Sequence, residues 1–326
     1  MKKAILPVFQ VVVTAAILWR IFGDQTIRAD VAEALGAADA RWLIAAVLVA
    51  ACSEAACATR WWIVLRAFGV PLRWRDALAY SALGLFYSLG LPGSAGGDAV
   101  RVLYVIRRHP DKKIAAAFSV LADRFCGLAA LAVAMGWALA ANRSVFFNSG
   151  YGSALVWAAM ALCGGGLIGL GLWWTTTLPA VSGMFRSRFP GFNRHLLESG
   201  DVFRRMWQSP RAMALGVVLS GVSLAAHFFG YYLAGCAFDA GVSLGRVLAV
   251  MPVVDTITAL PVALYGLGLR EAVLVTLLGG FHGVPAAAAT LMSLGGFGAQ
   301  AVVALSGILW LPFVNLLGAG RASSEQ

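Results

Sequence analysis

Arg101 and Arg270 close the same pattern, Leu-Pro-x4-Gly-x3-Arg, once as Leu91-Pro92, Gly97, Arg101 and once as Leu260-Pro261, Gly266, Arg270. A guanidinium keeps its charge at any relevant pH and offers paired donors that fit a phosphate or a carboxylate. Arg124, preceded by Asp123, is a third candidate anion binder. The competing reading is structural: Arg101 ends a helix at a surface, Arg270 pairs with Glu271 or Asp255, and Asp123 serves Arg124. Gly97, Gly266 and Gly268, with Gly93 and Gly96, permit sharp turns and close approach of backbone amides to an anion. Close helix packing explains the same glycines in a chain that holds 37 of them.

The elements that position these residues are apolar. Of 326 residues, 60% are hydrophobic and 12% charged, and the mean hydropathy is +0.80, values that a water-facing surface does not tolerate. Lipid is therefore the expected solvent, and one transmembrane domain spanning 1–326 is expected. The net charge of +10 comes from basic residues in short loops between apolar runs, without the aromatic-interleaved surface that holds bases, so nucleic acid is excluded as a partner. Cys52, Cys57, Cys126, Cys163 and Cys236 form no Cys-x-x-Cys pair, and His109, His195, His227 and His282 are dispersed. No metal site and no cofactor are expected.

Apolar segments run over 4–22, 42–65, 77–92, 114–140, 153–174, 212–237, 247–264 and 286–316. Cytoplasmic loops carry the excess of Lys and Arg. Segment 77–92 has Arg66, Arg73 and Arg75 before it and Arg101, Arg107, Arg108, Lys112 and Lys113 after it, so both of its flanks belong inside. It is expected to enter and return, breaking at Pro92, because irregular backbone at membrane depth persists only where protein or a watery cavity surrounds it. A second re-entrant element, 247–281, breaks at Pro261. Six full spans remain, with both termini cytoplasmic. Residues 175–211, with six arginines among apolar residues, read as a basic amphipathic cytoplasmic loop.

Division near residue 145 gives halves 1–144 and 145–326, each of the form span, span, re-entrant element, span. An odd number of crossings per half inverts the second against the first. The fold expected is thus an all-α polytopic inverted repeat, whose broken helices meet near the midplane.

At these residues the chain resembles the family built on the transmembrane region of lysylphosphatidylglycerol synthases, the flippase-like membrane proteins. The matching stretches are Gly90-Leu91-Pro92-Gly93-Ser94-Ala95-Gly96-Gly97-Asp98-Ala99-Val100-Arg101, Ala122-Asp123-Arg124-Phe125 and Tyr265-Gly266-Leu267-Gly268-Leu269-Arg270-Glu271-Ala272. The family commonly has Arg-Leu where this chain has Arg124-Phe125, and Gly295-Gly296 leaves Arg124 without a counterpart in the second half. The resemblance implies translocation of an anionic or aminoacylated lipid in a bacterial cytoplasmic membrane. Its synthase activity belongs to a further domain, so no enzyme is expected here.

Under that reading Arg101, Arg124, Arg270, Gly97, Gly266, Gly268, Ser94 and Tyr265 bind the headgroup. Asp98, Asp123, Asp255 and Glu271 compensate the arginines or hold a coupling proton. Membrane lipids are the expected partners, with a second copy of the chain or a separate lipid-modifying enzyme beside them. The alternative is an accessory subunit or a surface enzyme of envelope lipid synthesis, for which no convergent acid, base and nucleophile stand out. Glu54 and Arg60, six residues apart in one span, fall on different faces. His227 among aromatics reads as an interhelical hydrogen-bonded residue.

Overall fold

The computed structural model describes residues 33, 36–90, 95–143, 146, 150–176, 208–259, 266–280 and 283–314. The expected first span 4–22, nearly all of the basic loop 175–211, and Ser94, Tyr265, Pro92 and Pro261 lie outside the described residues. Within them the chain is helical and has no strand.

The helices in chain order are α1 (Ala40–Ala67), α2 (Trp74–Gly90), α3 (Ala95–Arg108), α4 (Lys113–Ala141), α5 (Gly150–Thr176), α6 (Pro210–Ala237), α7 (Leu244–Thr258), α8 (Leu269–Leu274, running into a π turn over Val275–Gly279) and α9 (Ala286–Ser306). Among the described residues four stretches are long and apolar enough to cross a membrane: Ala40–Ala67, Pro110–Ala141, Pro210–Ala237 and Ala286–Val314. Leu48, Val133, Ile168, Val218 and Leu309 are each more than half exposed. Water would penalise such faces, and hydrocarbon accepts them, so this is an integral membrane protein.

Two 28-residue helices, α1 and α6, form the central seam. Near its middle the Ser53 hydroxyl donates to the Ser223 carbonyl and lies 2.9 Å from the Ser223 hydroxyl. On one side of that point Gly230 packs on the Ala46 carbonyl, and on the other Gly216 packs on the Arg60 stem. Early residues of α1 thus meet late residues of α6, and the helices are antiparallel. The Asp39 amide closes the seam by donating to the Ala237 carbonyl at 3.0 Å. Small residues at the crossing let the backbones approach, which is how helices gain dispersion energy in lipid.

Both seam helices end alike. Ala67-Phe68-Gly69 and Ala237-Phe238-Asp239 stand 170 residues apart, the separation of Ser53 from Ser223. Gly69 has φ 77° and Asp239 φ 48°. The Val70 amide donates to Leu65 at 3.1 Å and the Ala240 amide to Gly235 at 2.9 Å, the six-to-one bond of a Schellman cap in each case. After the cap comes a helix, a break and a second helix: α2 and α3 in the first case, α7 and α8 in the second.

α3 returns along α2. A Cβ on Gly84 would stand 2.8 Å from the Arg101 Cγ, and one on Gly97 would overlap the Gly84 carbonyl and the Ser88 hydroxyl. In the second hairpin Gly266 (φ 74°) and Gly268 (φ 80°) adopt the left-handed turn that their lack of a Cβ allows, and bring Gly266 against Thr258. At Gly97 the geometry favours the packing role over the amide-donor role. Gly97→Ala should destabilise the detergent-purified protein by about 1–3 kcal/mol in a denaturant titration, because the obstructing atoms include backbone.

The return limb also corrects the placement of Arg101. The positive flank after segment 77–92 was expected to be cytoplasmic loop from Arg101 onward, yet helix continues to Arg108 and Arg101 lies within it, with its side chain largely buried. Packing on α2, where Gly97 meets Gly84, outweighs the loop signal of the charges.

Two cores flank the seam. Trp61, Leu65, Tyr80, Leu83, Val105 and Ala116 pack the first, and Val250, Met251, Val254, Leu274, Leu277 and Met292 the second.

Candidate functional site

The first cluster of charge lies where α1, α3, α4 and α6 meet. Arg60 of α1 is nine-tenths buried and holds Asp123 of α4 in a two-pronged bond, Nε to Oδ1 at 2.6 Å and Nη2 to Oδ2 at 2.9 Å. Its Nη1 donates to the Ser220 hydroxyl of α6 at 2.8 Å. Arg101 lies 3.9 Å from the same Asp123 carboxylate, stacks its guanidinium over Trp61 at 5.1 Å, and forms an ion pair with Asp98 one turn back on α3. Asp98 also accepts from Arg124, at 2.8 Å from Nε and 2.5 Å from Nη2. A chain of alternating charge therefore runs from Ser220 through Arg60, Asp123, Arg101 and Asp98 to Arg124. Its inner members are buried, whereas the Arg124 side chain is 47% exposed.

Local helix geometry sorts these partners. Asp98 sits in the first turn of α3, where the helix dipole favours a carboxylate, and Arg101 is three residues on along the same face. Asp123 and Arg124 are consecutive on α4, so about 100° of rotation separates them. Asp123 points to the seam and Arg124 to α3. The reading of Asp123 as the partner of Arg124 is corrected accordingly: Asp123 serves Arg60, and Asp98 serves Arg124.

The second cluster surrounds α8. Arg270 is buried, with its guanidinium 5.7 Å from the ring centres of both Tyr231 and Phe297. Such stacking compensates part of the cost of a desolvated cation. Glu271 is fully buried and caps the helix it begins, accepting from the Gly268 amide at 2.5 Å and from the Ser293 hydroxyl at 2.6 Å. Asp255 meets His227 at 3.2 Å. Both carboxylates offered as partners of Arg270 thus have hydrogen-bonding tasks of their own. At the 170-residue offset Trp61 corresponds to Tyr231, and each of these rings carries the arginine that closes the shared motif.

Of the expected site residues, Arg101, Arg124, Asp98 and Asp123 come together in one network. Arg270, Glu271, Gly266 and Gly268 assemble in another, with Asp255 bonded to His227 beside it. Sequence reasoning set Arg60 on a different face from Glu54 and left it out of the site, and it did not single out Gln300. An arginine inside a 28-residue apolar helix was itself a signal, but its partner lies 63 residues away and no local spacing reveals it.

A comparison with curated proteins finds no match. The family model described as the lysylphosphatidylglycerol synthase TM region matches residues 8–307. That match takes in both hairpins, the seam and both charge clusters, and the chain belongs to the lysylphosphatidylglycerol synthase TM region family.

Proposed function

We propose that this protein is a non-enzymatic lipid translocator, moving an anionic or aminoacylated phospholipid between the leaflets of a bacterial cytoplasmic membrane. The observation that carries the reading is the alternating chain of buried charge ending at half-exposed Arg124. Structural ion pairs need no exposed end, whereas a headgroup phosphate needs one guanidinium within reach and others behind it to receive the charge. Family membership supports lipid as the substrate class. Reconstitution tests it. Fluorescent phosphatidylglycerol and its lysyl ester should become accessible to an impermeant quencher faster in protein-containing vesicles than in empty ones, with phosphatidylcholine lagging behind. Equal rates with and without protein would favour an accessory role.

An inverted repeat with six full spans and both termini inside accounts for the architecture best. Its support is the antiparallel seam, the duplicated Schellman caps and the two helix–break–helix units that follow them. In a cysteine-free background, cysteines at Arg73 and Lys112 should react with an impermeant maleimide only from the cytoplasmic side. Cysteine at Ser243, the counterpart of Arg73, should react only from outside. Labelling of Arg73 and Ser243 positions from one side would refute the inversion.

A further inference from the structure

Glu54 has no hydrogen-bond or ion-pair partner among the described residues, although it occupies the middle of α1, about 20 Å from either end at 1.5 Å per residue. It lines a small pocket of about 10 Å³ at the seam, room for about one water molecule, together with Ser53, His227, Tyr231 and Gln300. The facing wall is unusual. His227 of α6 meets Asp255 of α7 through Nε2, at 3.2 Å from Oδ2 and 3.4 Å from Oδ1. Its other ring nitrogen, Nδ1, lies 3.2 Å from the Gln300 amide nitrogen of α9, which is 3.3 Å from the Tyr231 hydroxyl.

We propose that this pocket is a site of reversible proton binding, shared between Glu54 and the His227–Asp255 pair. Three features carry the inference. An ionisable group at membrane depth is functional by default, and Glu54 takes part in none of the arginine networks that occupy Asp98 and Asp123. The His227 ring is bonded so that both of its protonation states are accommodated. With the Gln300 amide nitrogen donating, Nδ1 accepts and Nε2–H points at Asp255; when the amide turns over, its oxygen accepts from Nδ1–H and the imidazolium is satisfied on both sides. The charged groups whose fields act on Glu54 are Arg101 of α3, His227 of α6, Arg60 on its own helix and Asp123 of α4. Arg60 and Arg101 are already engaged by aspartates, which leaves His227 as the group whose charge can change opposite Glu54.

The location gives the proton a mechanical consequence. His227 ties α6 to α7 through Asp255 and to α9 through Gln300. Asp255 lies one turn before the second helix break, beyond which Gly266 and Arg270 follow. Loss or gain of the proton alters the bond that holds the approach to that break, and so links proton occupancy to the Arg270 cluster.

The test uses the full chain in detergent, labelled with ¹⁵N-histidine, with the His227 signal assigned by its absence in His227→Gln. The His227 ring should change its protonation state reversibly across the pH range in which the protein stays folded. Glu54→Gln and Asp255→Asn should each weaken its proton affinity at least about tenfold, one pH unit. A ring that keeps one protonation state across that range overturns the proposal, and this measurement needs no variant. So does a Glu54→Gln protein whose His227 titrates unchanged, since the pair is then only an interhelical hydrogen bond. No lipid movement enters the readout, so its failure leaves the translocation reading standing, and failure of translocation leaves the proton site standing.

Discussion

Arg124→Ala should slow lipid movement in proteoliposomes by at least about tenfold while leaving the protein folded. The expected size follows from one lost charge-assisted hydrogen bond to a phosphate, about 1.5–3 kcal/mol, against about 1.4 kcal/mol for each factor of ten. Stability should fall by less than about 1 kcal/mol, because the Arg124–Asp98 pair is partly solvent-exposed and Asp98 retains Arg101. Arg101→Ala and Arg270→Ala should abolish movement too. Lysine at any of the three positions should rescue only in part, since it keeps the charge but loses the planar fork. Scrambling rates measured beside thermal unfolding of the same preparations check the prediction. Wild-type rates in all three alanine variants would remove these arginines from the transport path.

Asp123→Ala has the largest expected effect on the fold. Removing the carboxylate leaves Arg60 buried at the seam and Arg101 with a single acidic neighbour, and breaking a buried pair costs about 3–5 kcal/mol. The penalty belongs to the stranded charge rather than to the bond. Arg60→Met combined with Asp123→Leu should therefore recover most of the lost stability, since apolar replacement of both partners is often neutral. Denaturant titration in detergent, comparing both singles with the double, decides the matter. A double variant as unstable as the sum of its singles would show that the pair itself holds α1 to α4.

How much of this was legible depends on the range of the interaction involved. The apolar stretches 42–65, 114–140, 153–174 and 212–237 became α1, α4, α5 and α6 with small changes at the ends, because hydropathy acts locally. Gly266 and Gly268 were readable as turn glycines, and both take positive φ. Gly97 was legible as important but not for its reason. Its role depends on Gly84 and Ser88 across the hairpin, and only the return of α3 along α2 brings them together. Arg60 with Asp123, and His227 with Asp255 and Gln300, are meetings of different helices that no single-helix spacing encodes. Glu271 next to Arg270 suggested an ion pair; the buried helix start also gives Glu271 the Gly268 amide to satisfy.

If the two halves are the inverted repeat proposed above, Ser53 and Ser223 are counterparts, and their meeting has a consequence for ancestry. A residue can touch its own counterpart only on a rotation axis, the constraint that governs two-fold homodimers. A single-length precursor carrying one such helix would have associated with a copy of itself inserted upside down, so its membrane would have held both orientations in balance. Fusion of two such copies frees each half to fix its own direction through its own loop charges. Substitutions on either side of the axis then no longer have to be made twice, which is how Trp61 and Tyr231 can differ while carrying the same arginine.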